Sequence, residues 1–176
     1  MYPELDELAD RAEERYLTQQ EIETFKQHAA SLAQRLELYE TLRDRELDIF
    51  QPIANRLETT FPEENQMALE QALIHWLSVL RYCAMAMLTN NPAFLRSQLS
   101  TWFQGLSQTR SHLAIERELY QCLQNRLQEL LSESETAHSL IQPFLALAED
   151  TLLNEPPDQE EQVSTREDQA ATKLQV

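Results

Sequence analysis

One glycine, Gly105, serves a chain of 176 residues. Strands joined by tight turns draw on several glycines to reach positive φ. A chain with one must be built from helices, turned where Pro and Asn allow it. The breaks fit that reading, with "FPEEN" at Phe61 to Asn65 and "TNNP" at Thr89 to Pro92. The length suits one domain with a real core.

The spacing of apolar residues predicts the helices. A first runs from about Pro3 to Tyr16, with Pro near its start. Thr18 and Glu21 stand in capping-box order, so a second begins there. Ile22, Phe25, Ala29, Leu32, Leu36 and Tyr39 follow at alternating threes and fours, a seam that packs on another helix. A third covers about 45–60 with Leu47, Phe50, Ile53 and Leu57, and Pro52 inside it should kink or restart it. The next, about 64–88, contains "ALIHWLSVLRYCAMAML". Leu69, Leu73, Trp76, Leu80, Cys83 and Met87 share its apolar face. Gln71, His75, Ser78 and Tyr82 form an opposing polar stripe. Three more are expected, from Pro92 to about Phe103 with Gly105 as C-cap, over about 111–131, and over about 134–153 with an interruption at Pro143. From Glu155 onward the chain carries a net charge of −4 and almost no core formers. The expected organisation is a helical domain over 1–154 and a disordered acidic tail over 155–176.

Charge and chemistry narrow the function. The net charge is −16, from 14 basic and 30 acidic side chains. That disfavours nucleic acid and anionic membranes, and favours a basic protein partner. Cys83 and Cys122 lie in apolar helical patterns, as buried thiols of a reducing compartment. The acidic N-terminal stretch has no apolar segment of the kind a leader carries. A bilayer span over 72–88 would bury Arg81 in hydrocarbon at a cost of at least ~2.5 kcal/mol, so the chain is read as not transmembrane. One glycine excludes phosphate-binding loops, and His28, His75, His112 and His138 have no second ligand at helical spacing. Neither an enzyme nor a metal site is expected, and no catalytic residue is assigned.

Several segments carry a resemblance. "RYLTQQEI" (Arg15 to Ile22), the pair Phe61-Pro62, and "LRY" (Leu80 to Tyr82) before an apolar run and "NNP" resemble, in this order, segments of the phycobiliprotein family. The resemblance covers most of 1–154. It implies an all-α, globin-like fold of seven to eight helices with an N-terminal helical hairpin, in the cyanobacterial light-harvesting apparatus. Pigmented members carry Cys-x-Arg-Asp ahead of that Leu-Arg, to attach and hold a linear tetrapyrrole (bilin). Counting back from Arg81, this chain has Ala72, Leu73, Ile74 and His75. Covalent attachment there is therefore not expected, and no cofactor is assigned.

The leading expectation is a pigment-free relative that binds proteins in assembly, turnover or regulation of light harvesting. Ile22, Phe25, Leu32, Leu36 and Tyr39 would form its partner surface. The partner would be a second copy, a phycobiliprotein-like subunit or another photosynthetic protein. The place would be the cytoplasm, at the stromal face of the thylakoid. Two alternatives stay open: a sensor holding bilin or haem noncovalently through His75, Arg81 and Tyr82, and a helical adaptor unrelated to photosynthesis.

Overall fold

The computed structural model describes residues 3–106, 113–132 and 134–154. The acidic segment 155–176, His112 and the expected helix start at Ser111 lie outside them, as do the side chains of Trp102 and Phe103. Seven helices follow in order: α1 (Pro3–Glu14), α2 (Gln19–Asp44), α3 (Glu46–Thr60), α4 (Gln66–Thr89), α5 (Pro92–Leu106), α6 (Leu113–Leu130) and α7 (Glu135–Glu149). A π-helical turn over Asp150–Asn154 ends the described chain. No strand occurs among the described residues. This is the all-α, globin-like fold that the resemblance implies.

The central helix is α4, packed against α2, α3, α5, α6 and α7. Leu69, Ala72, Trp76, Val79, Leu80, Cys83 and Met87 are buried along it. Apart from the adjacent pair Val79 and Leu80 they recur at threes and fours, so one continuous stripe enters the core. By length and composition α4 could cross a membrane. Its apolar face is instead covered by five neighbouring helices.

The end of α4 explains how the chain turns without glycine. Asn90 takes the left-handed conformation (φ 49°, ψ 46°). It is the one non-glycine residue with positive φ among those described. Asn tolerates this region because its short polar side chain relieves the strain locally. The Asn91 N–H donates to the Ala86 carbonyl at 2.8 Å and the Asn90 N–H to that of Met87 at 3.1 Å. The Asn91 side chain then accepts from the Phe94 N–H at 3.0 Å and starts α5. The Leu88 carbonyl is taken by Arg35 of α2, whose Nη1 donates to it at 2.9 Å. Arg35 is 4% exposed, a buried cation at the negative end of the α4 dipole.

The prolines act differently from their sequence reading. The third helix does not restart at Pro52 but runs unbroken to Thr60. Pro52 lacks the N–H that would meet the Asp48 carbonyl, and Arg126 of α6 donates to that carbonyl at 3.1 Å instead. Pro143 likewise lies inside an unbroken α7. Gly105 falls within the last turn of α5 rather than beyond its end. In α3, Ile49 joins Phe50, Ile53 and Leu57 in the core, while the expected Leu47 is 73% exposed.

The α1–α2 elbow rests on Glu21. The capping box forms as expected, Thr18 Oγ1 accepting from the Glu21 N–H and the Glu21 carboxylate from the Thr18 N–H. Arg15 adds two charged hydrogen bonds, at 2.7 and 2.9 Å, and Arg11 reaches the same carboxylate at 3.4 Å. The Arg15 hydrogen bond first, then those from Thr18, hold the Glu21 carboxyl far below the ordinary carboxylate range. A depressed pKa contributes stability that is present above the unfolded value and lost as pH falls towards the folded one. Acidification below about pH 4 should therefore loosen the elbow. Amide protection over 15–25, taken relative to the intrinsic exchange rate at each pH, is expected to fall with acid in the wild type and to respond much less in Glu21→Gln. Parallel profiles for the two proteins would refute this.

Candidate functional site

Two neighbourhoods on α4 hold the candidate residues. The first is the turn Ala72 to Trp76. Ala72 is buried, and Ile74 is 64% exposed. The His75 side chain, on the polar stripe of α4, is largely covered. Its Nδ1 sits 3.3 and 3.2 Å from the two carboxylate oxygens of Glu116 on α6. Trp76 is fully buried, and its Nε1–H donates to the same carboxylate. One acid thus ties two adjacent α4 residues to α6. The Trp76 ring also packs on Tyr120, with centroids 5.2 Å apart. Burial pushes the Tyr120 hydroxyl up to about 12. On this turn Trp76 faces inward and Ile74 faces outward.

Cys83 is remote from the turn at Ala72, where the resemblance implies that pigmented members carry their attachment cysteine. Cys83 lies eleven residues beyond Ala72, or about 16 Å along the helix. It is fully buried, donates to the Phe144 carbonyl at 3.5 Å, and burial raises its pKa strongly. Cys122 is half-buried rather than buried, and burial raises its pKa also. His28 and His138 are half-buried where surface positions were expected.

The second neighbourhood is a groove of about 360 Å³ between the end of α2, the start of α3, and α4 and α5. Tyr39, Leu42, Leu80, Tyr82, Ala84, Met85 and Phe94 give it an apolar floor, with Arg43, Glu46 and Arg81 at its edge. Tyr82 meets Phe94 edge-on at 6.4 Å between centroids. Arg81 makes two hydrogen bonds of 2.7 Å to the two oxygens of Glu46. That bidentate pair uses the fork which would otherwise clamp an acidic group. The structure therefore brings Arg81 and Tyr82 together and separates both from His75.

The candidate partner face lies on α2. Ile22, Phe25, Leu32 and Leu36 are between 36% and 53% exposed. Tyr39, at the end of the seam, is half-buried against the core and also lines the groove. The buried side of α2 is instead Arg35, Leu38 and Leu42. Sequence reasoning missed Arg35 and Glu116. Their charged types give no signal of burial, and the contacts that tie Arg35 to Leu88 and Glu116 to His75 and Trp76 span at least 40 residues. Among the described residues no group of three His, Cys, Asp or Glu is gathered for a metal.

Comparison with curated proteins finds no match. A family model described as phycobilisome protein matches residues 8–152, from α1 into the π-helical turn.

Proposed function

Because the chain belongs to the phycobilisome protein family, we propose that it serves light harvesting as a protein-binding member without covalently attached bilin. Family membership makes it a light-harvesting-related protein. The finer role we propose is assembly, turnover or regulation of the antenna, by a non-enzymatic mechanism, on the cytoplasmic (stromal) side of the thylakoid. The observation that carries this reading is the exposed apolar seam of α2. Four large side chains at helical spacing, each more than a third exposed, leave a face that a partner would cover. The pigment-free half is supported by the turn at 72–76. It offers no thiol, and Glu116 engages the ring where a bilin-holding carboxylate would be expected.

One observation favours a second reading, a noncovalent pigment, namely the aromatic groove beside Arg81. The two separate cleanly by colour. Protein co-expressed with bilin synthesis and supplied with haem is expected to purify without a visible absorption band. A band that survives gel filtration in stoichiometric amount would overturn the pigment-free reading. Affinity purification from a cyanobacterial lysate, with Leu32→Asp/Leu36→Asp as control, tests the partner half. Phycobilisome subunits retained equally by both proteins would count against the seam.

A further inference from the structure

We propose that the α2 seam takes a cationic amphipathic helix rather than a second copy of this chain. The inference rests on the partner-binding reading above and adds the chemistry of the partner. Residues 3–45 carry 11 acidic against 6 basic side chains. The basic ones are already engaged. Arg11 and Arg15 meet Glu21, Lys26 meets Glu23, Arg43 meets Asp44, Arg45 meets Asp48, and Arg35 is buried. Glu37 and Glu40 stand outside the ion pairs of the described residues and are exposed. At helical spacing they border the seam, Glu40 one turn beyond Leu36. Ala29, Ala30 and Ala33 are exposed beside Phe25 and Leu32, so a helix can approach the backbone closely there. At Tyr39 the seam opens into the groove floored by Leu80, Tyr82, Met85 and Phe94, which can receive one large apolar side chain of the incoming helix.

Charge decides between occupants. A second copy would bring another −16 and set acidic borders against acidic borders. A helix with Lys or Arg beside its apolar stripe meets Glu37 and Glu40 while covering Leu32 and Leu36. Such rim charges set specificity and association rate more than depth of burial.

The test uses the intact protein and two 18-residue helical probe peptides with Leu at the same heptad positions. One has Lys and the other Glu at the remaining positions. Calorimetric titration at low salt is expected to give at least about tenfold tighter binding of the Leu/Lys peptide. Glu37→Lys/Glu40→Lys is expected to invert the preference. Leu32→Asp/Leu36→Asp is expected to weaken the Leu/Lys peptide about tenfold or more, although it adds negative charge. That response separates docking on the seam from diffuse attraction to an acidic protein. These side chains are half-exposed, and unchanged circular dichroism checks the fold. Equal binding of both peptides, lost in the seam variant, overturns the cationic partner and leaves the docking face standing. Peptide binding and lysate capture both indifferent to the seam variant overturn this proposal and the partner reading together. Failure of both peptides to bind, or self-association that the seam variant abolishes, overturns the proposal.

Discussion

Trp76→Ala is expected to lower the melting temperature by on the order of 10 °C. Truncating a fully buried Trp costs about 3–5 kcal/mol, from lost transfer energy and the cavity left behind. In a protein of this size each kcal/mol moves the midpoint by about 2–4 °C. Trp76 is 0% exposed, stacks beside Tyr120, and supplies one of the two α4 donors to Glu116. Its removal also leaves a half-covered carboxylate short of a partner, which adds to the cost. Trp76→Phe separates the contributions, since it keeps most of the ring but loses the N–H. Its midpoint should fall between those of wild type and Trp76→Ala. Thermal unfolding followed by circular dichroism measures all three. A loss below about 3 °C for Trp76→Ala would mean that the ring is not a core element.

Arg35→Met is expected to cost about 2 kcal/mol, since a hydrogen bond to a charged group contributes about 1.5–3 kcal/mol. The opposing effect is desolvation. Burial lowers the Arg35 pKa, so the guanidinium is held out of water at some cost. Met removes that cost and keeps most of the apolar stem. The carbonyl side outweighs it for a structural reason. The Leu88 carbonyl at the end of α4 would lose its 2.9 Å donor, and the helix end would lose its cation. The effect should be local as well as global. Arg35 ties α2 to α4, so amide exchange in the first half of α2 should quicken more than exchange in α6. Arg35→Lys should rescue little, because a flexible ammonium cannot reproduce the planar fork. A Met variant as stable as the wild type in chemical denaturation would refute the assignment.

Both residues bear on the candidate site, yet they were unequally visible beforehand. Trp76 could be placed in the core from its spacing with Leu69, Leu73, Leu80 and Cys83, because periodicity reports which side of a helix is apolar. Arg35 could not, because a charged residue beside an apolar seam reads as solvated. The seam itself was legible as apolar. The environment changes along it, for Tyr39 packs on the core while Ile22, Phe25, Leu32 and Leu36 stay open. The place of His75 opposite the main apolar face marks it as polar but does not show that the approach of α6 covers it.

The sequence by itself determined what depends on near neighbours. One glycine excluded a turn-rich sheet. Thr18 and Glu21 set the start of α2, and Asn90-Asn91-Pro92 set the turn after α4. Ala72, Ile74 and His75 place no thiol, guanidinium or carboxylate on that turn of α4. These follow from local geometry and side-chain type, which hold wherever the helices pack. Only the tertiary structure decided that Glu116 binds His75 and Trp76, that Arg35 closes the end of α4, and that Arg126 supplies the donor missing at Pro52. It also decided which part of α2 stays uncovered. These contacts join residues 40 to 78 apart in the chain. Helical periodicity states which face is apolar, whereas the choice of what meets that face is made by the packing of whole helices.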